Sequence, residues 1–171
     1  MTSDIVYRAR VIMAESGKII IMLVFVCGLL AGTVLTGLLS SSQVHPVKRV
    51  VFTENAPKPI GPYSQAVRSG DFVFISGQIG IDPVTGNLSG SAEGETTRAM
   101  ENLRFVLQES GLGFEDVVQT RIYLTNMSDW TTVNGIYGSY FRDTCPARAT
   151  VQVSGLPKGA RVEIEMVAQK R

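Results

Sequence analysis

Histidine is almost missing from this chain: His45 is the only one in 171 residues. That excludes a catalytic triad built on an imidazole and any metal site held by several histidines. Cysteine is nearly as scarce, with only Cys27 and Cys145. Cys27 sits in an apolar run and Cys145 far away in the more polar part, so no intramolecular disulfide is expected, and Cys145 reads as a small apolar filler. Charge of either sign is not in excess, with 16 Lys and Arg against 15 Asp and Glu. Arg8, Arg10, Lys18, Asp4 and Glu15 all precede residue 44, which leaves 13 basic and 13 acidic residues beyond it. No basic run interleaved with aromatics occurs, which argues against a phosphate-tracking surface; no nucleic-acid partner is expected.

One thing is abundant in one place. Ile19 to Leu39 holds 21 residues and no charge. At about 1.5 Å per residue that run matches a bilayer core of roughly 30 Å. The sequence therefore predicts a flank over 1–18, a transmembrane anchor over 19–39, a Ser-rich tether over 40–46 and a folded domain over 47–171. The expected location is a single-pass membrane protein. A cleaved secretory signal is the alternative, with Ser40, Ser41 and Ser42 as small residues near a cleavage point. Arg8, Arg10 and Lys18 favour an N-terminus on the cytoplasmic side, although Lys48 and Arg49 follow the run closely; the side on which the domain lies stays open.

In the domain, residues 48–53 and 71–76 are rich in Val, Ile and Phe and read as strands, with a turn over 68–71. Residues 82–87 form a turn-rich loop. Thr96, Met100, Leu103 and Leu107 fall on one helix face within residues 92–110, and Gly111 fits the stop. Residues 116–125 alternate as a strand. Trp130, Val133, Tyr137 and Phe141 then recur at helical spacing from near Asp129, as an aromatic core stripe. Two alternating strands end the chain. The order predicts an α+β layer, a mixed β-sheet with two helices packed on one face.

The terminal strands carry the chemistry. Ala149, Val151 and Val153 share one side of the first, and Arg148, Thr150 and Gln152 the other; this predicts Arg148 pointing away from the core. In the second, Val162, Ile164 and Met166 leave Glu163 and Glu165 opposite. An Arg shaped to grip a carboxylate and a Glu able to act as a base would then share a small polar surface. Solvated residues or a cross-strand ion pair are the alternative. If the two strands form a hairpin across residues 154–160, Arg148 and Glu163 stand on the order of 13 Å apart. Either the register differs, or the site borrows residues from a neighbouring copy.

The blocks Thr53-Glu54-Asn55-Ala56-Pro57, Ile60-Gly61-Pro62-Tyr63-Ser64-Gln65-Ala66 and Ile75-Ser76-Gly77-Gln78-Ile79 resemble the reactive intermediate (imine) deaminase family, also catalogued as L-PSP endoribonucleases. Asn102-Leu103, Thr132-Val133-Asn134, Pro146-Ala147-Arg148 and Val162-Glu163-Ile164-Glu165 follow in family order. The resemblance covers roughly residues 47–171. It implies a chorismate-mutase-like fold, a homotrimer with sites in the intersubunit clefts, and cofactor-free hydrolysis of enamine and imine acids such as 2-aminoacrylate and 2-iminopropanoate to 2-oxo acids and ammonia. By motif, Arg148 would hold the substrate carboxylate and Glu163 would handle the water, with Tyr63, Ser76, Gly77, Asn134 and Thr150 around the substrate. Many members carry Cys where this chain has Thr150, and the connector before Pro146 is shorter than in many relatives. A non-catalytic ligand-binding or chaperone-like trimer, and a ribonuclease, are the competing functions.

Overall fold

Alternation and helical spacing become six strands and two helices over residues 47–170, the part of the chain that the computed structural model describes. In chain order these are β1 (Arg49–Val51), β2 (Ala66–Ser69), β3 (Phe72–Ile79), α1 (Ala92–Glu109), β4 (Val117–Leu124), α2 (Trp130–Ser139), β5 (Ala147–Gln152) and β6 (Val162–Gln169). The strands form one sheet in the order β1-β2-β3-β6-β4-β5. Only β4 and β5 run parallel among the paired strands; the other pairs are antiparallel. The α+β layer with a mixed sheet is therefore the fold, and both helices lie on one face of it.

Helix α1 starts where the Ser91 side chain accepts the Gly94 N–H at 3.1 Å, with Glu93 and Glu95 in the first turn. Both features satisfy or complement the positive end of a helix. Thr96, Met100, Leu103 and Leu107 are fully buried, as their spacing predicts. They pack with Val73, Ile75, Ile122, Leu124, Ile164 and Met166 of the sheet into one core. Burying each large aliphatic side chain contributes about 1.5–3 kcal/mol. The helix ends at Ser110, and Gly111 follows at φ 69°, a left-handed conformation that glycine reaches without penalty.

Several expectations need correction. Arg68 and Ser69 belong to β2 rather than to a turn, and the reversal falls on Gly70. In the aromatic stripe Val133, Tyr137 and Phe141 are buried, but Trp130, the first residue of α2, is 40% exposed. Cys145 is exposed, not a core filler. No hairpin joins β5 to β6: β4 lies between them, and Leu124 is flanked by Gln152 on one side and Val162 on the other.

The faces of β5 are also reversed. Arg148 is the register partner of Thr120, which is buried against the helices, so Arg148 lies on the helix-bearing face. Ala149 and the 47% exposed Val151 lie on the open face with Arg121 and Tyr123. Period two says which residues share a face, not which face the helices cover; a long Arg stem lies well against an aromatic ring.

The expected single-pass membrane location is withdrawn. Among the described residues no helix is long and apolar enough to cross a membrane. The segment 19–39 behind that expectation lies outside the described residues, as do the flank 1–18, the tether 40–46, Cys27 and His45.

Candidate active site

The bend in the middle of β3 makes the first half of the site. Its pairing with β6 shifts between Ile75 and Gln78, so Ser76 and Gly77 bulge out of the ladder. Bulges re-aim side chains at such points. Here the bulge opens a cleft of about 350 Å³ on the open sheet face, lined by Ile60, Tyr63, Ser76, Gly77, Ile79, Pro157, Glu163 and Glu165. Four of the expected site residues, Tyr63, Ser76, Gly77 and Glu163, are thereby brought together. The Glu163 carboxylate lies over Gly77, and a Cβ built at position 77 would collide with it. Burial, and secondly the charge of Glu165, push the Glu163 carboxyl above its ordinary value.

Buried polar side chains hold this half in place. Gln65 accepts the Thr53 N–H at 2.7 Å and donates to the carbonyls of Thr53, Ala56 and Pro57, which pins the segment that leads into Tyr63. The Tyr63 hydroxyl accepts the Ile60 N–H at 3.3 Å and keeps its own proton to donate. Ser76 Oγ donates to the Ser64 carbonyl at 2.7 Å, which turns its lone pairs outward as acceptors. Buried Glu95 accepts the Arg161 N–H at 2.7 Å and fixes the chain just before β6, while Asn102 holds the Ile79 and Ile81 carbonyls at the end of β3.

The second half lies elsewhere. Arg148 Nη2 donates to Asn134 Oδ1 at 2.7 Å, and its guanidinium stacks over the Tyr137 ring at 4.7 Å. Tyr137 in turn is tied to Thr120 Oγ1 at 3.1 Å. The cation is thus oriented and still exposed. Thr150 follows on the same face, opposite Ile122. Arg148, Asn134 and Thr150 form one group, Tyr63, Ser76, Gly77 and Glu163 another. The small polar surface expected to hold both Arg148 and Glu163 does not exist within one copy. They sit on opposite faces, two strand spacings apart and three residues out of register, on the order of 14 Å in the sheet plane.

The family profile described as Endoribonuclease L-PSP matches residues 53–170, well over half of the chain. The chain belongs to this family. A RutC family protein of Pyrococcus horikoshii is 47% identical over 125 residues, covering 72% of this chain and 99% of the relative. The 2-iminobutanoate/2-iminopropanoate deaminase of Homo sapiens is 48% identical over 123 residues, covering 71% of this chain and 90% of that protein. Among solved structures, a Thermotoga maritima protein described as a putative endoribonuclease superposes with a TM-score of 0.71 at 47% identity, over 73% of this chain and 99% of its own. Escherichia coli TdcF with bound serine gives 0.70 at 34% identity, over 72% and 99%.

Within the L-PSP family fold, sequence reasoning missed several residues that the geometry adds. Ile60, Ile79 and Pro157 give the cleft an apolar wall. Tyr137 is a platform for Arg148 as well as a core residue, a role signalled by its position three residues beyond Asn134 on α2. Glu165 shares the alternation of Glu163, and its partner Arg121 comes from β4, at 2.6 Å. No single-strand pattern reveals that pairing, because β4 and β6 are distant in sequence.

Proposed function

We propose that this protein hydrolyses reactive enamine and imine acids of the 2-aminoacrylate and 2-iminopropanoate type to 2-oxo acids and ammonia, as a homotrimer whose sites lie between subunits. The observation that carries this reading is the division of the site: a partly buried carboxylate in an open cleft, and an oriented, exposed guanidinium on the other face. A substrate needs both. The uncovered sheet face supports assembly, because Val50, Phe72, Phe74 and Val151 are all exposed on it. Exposed apolar surface of this kind marks an interaction site, and closed symmetry would repeat one contact three times.

In this mechanism the partner subunit's Arg148 grips the substrate carboxylate through its planar fork. Glu163 takes a proton from a water molecule as the water oxygen bonds to the imine carbon. The resulting carbinolamine carries a hydroxyl and an amine on one carbon. With the imine nitrogen entering protonated, Glu163 returns its proton to the carbinolamine nitrogen; the carbon–nitrogen bond breaks, ammonia leaves with the electron pair, and the hydroxyl proton passes to water as the 2-oxo acid forms. Tyr63 donates a hydrogen bond within the cleft, and the Ile60, Ile79 and Pro157 wall accommodates the hydrocarbon part of the substrate. The test is the decay of 2-iminopropanoate generated by an amino-acid oxidase, with and without the purified chain. Decay no faster than the uncatalysed rate removes the proposal.

Gly77→Ala offers a local check. The added methyl meets the mobile end of Glu163 rather than backbone. The carboxylate moves aside, while the fold keeps its thermal midpoint. A displacement near 1 Å is enough to lower a rate by about a hundredfold. Loss of imine hydrolysis with unchanged melting is the expected pair of results; unchanged hydrolysis would separate Glu163 from the chemistry.

A further inference from the structure

Glu163 does not stand alone in the cleft. Glu165 lies two residues along β6 on the same face, about 7 Å away along the strand, which is inside the Debye length of about 8 Å at physiological salt. It cannot swing away freely, because Arg121 Nη1 donates to its Oε1 at 2.6 Å from the neighbouring strand. The register explains this pairing: Arg121 is opposite Glu165, and Tyr123 is opposite Glu163. Burial, then the charge of Glu165, raise the pKa of the Tyr123 phenol. A carboxylate held by a cation from the neighbouring strand, beside the carboxylate assigned to water handling, has a fixed place from which to act on its neighbour.

The other elements around Glu163 bring few competing charges. On β3 the cleft is lined by Ser76, Gly77 and Ile79, none of which titrates in the working range. From the preceding loop come Ile60 and Tyr63, and the residues of β5 on this face are Ala149 and Val151. Arg148 of the same copy lies on the opposite face. Among the described residues of one copy, the charges facing Glu163 are therefore Glu165 and, behind it, Arg121.

We infer that Glu165, clamped by Arg121, is a positioning residue that sets how readily Glu163 takes up a proton, so that this cross-strand pair determines the pH range in which the cleft works. The inference rests on the proposed deaminase reading for its biological meaning, but its physical content can be measured separately. Glu165 raises the proton affinity of Glu163 through its negative charge, and Arg121 limits that effect by partly neutralising Glu165. Removing one or the other must therefore move Glu163 in opposite directions.

The experiment compares the full chain with its Glu165→Gln and Arg121→Gln variants in two measurements. The first is the pH profile of kcat/KM for 2-iminopropanoate, which rises with pH as Glu163 ionises. In Glu165→Gln the acid limb moves down by about half a pH unit or more; in Arg121→Gln it moves up. A purely structural role would lower the plateau at all pH values and leave the midpoint in place. The second is direct titration of the Glu163 side-chain carboxyl by carbon-13 NMR, which needs no turnover, with Glu163→Gln to assign the signal. Opposite shifts in the two variants support the inference. A midpoint that stays fixed in Glu165→Gln, or moves down in Arg121→Gln, overturns it. Absence of imine turnover in the unaltered chain defeats the deaminase reading instead, and the NMR midpoints still decide the role of Glu165.

Discussion

Arg148→Ala is expected to lower hydrolysis of 2-iminopropanoate about tenfold or more, and mixing it with a Glu163→Gln variant of similarly low activity is expected to bring activity back. The first effect follows from losing a charged hydrogen-bonding partner of a carboxylate, about 1.5–3 kcal/mol, or roughly tenfold or more in rate or affinity. Arg148→Lys rescues poorly, since an ammonium lacks the planar fork that Asn134 and the Tyr137 ring orient here. The second effect follows from the opposite faces on which the two residues lie. If a site takes Arg148 from one copy and Glu163 from the next, random reassembly of equal amounts joins two intact residues in about a quarter of the sites of a closed ring. The measurement is imine decay after the two variants are dissociated and reassembled together. A mixture no more active than its parts would refute the shared site.

The other large effect comes from the open face. Phe74 is 50% exposed, its ring centroid is 6.4 Å from that of Phe72, and Val67 and Val167 flank it on neighbouring strands. Within one copy Phe74→Glu is a surface change, so the secondary structure and melting of the isolated fold are retained. In an assembly it buries an unpaired carboxylate, at a penalty of several kcal/mol. Light scattering on the unaltered chain should report three copies, and the variant a single one. Imine hydrolysis falls to the uncatalysed background in the variant because no copy holds a complete site. A variant that stays assembled and active would show that this face is not where the copies meet.

How much of this was readable beforehand varies from element to element. Helix α1 was legible to within a residue, because its buried stripe and its terminal glycine point the same way. Strand β6 was legible too, since it is central and covered by helices on one face, so Val162, Ile164 and Met166 alternate cleanly with the acids. Strand β5 was not. It is an edge strand whose apolar residues, Ala149 and Val151, face away from the helices, and alternation alone is silent about that. The hairpin failed for a related reason: nothing local announces that β4 slips between two consecutive strands.

The candidate site residues were named as a set through their likeness to a family, but their geometry was not legible. The motifs named Tyr63, Ser76, Gly77 and Glu163 together with Arg148, Asn134 and Thr150, without separating them into two groups. That separation depends on the sheet order and on the face of each strand, both of which are long-range properties. The pairing of Glu165 with Arg121 escaped because their 2.6 Å contact joins strands with a helix and an edge strand between them in the sequence.

The contact between Gly77 and the Glu163 carboxylate also constrains how the chain can vary. A lineage that keeps an acid at 163 has to keep the bare backbone at 77. One that loses the acid is released from that demand and can admit alanine or serine there. The two positions should therefore drift as a pair, and a natural variant with a side chain at 77 is expected to have given up the carboxylate, and with it the water chemistry, while keeping the same architecture.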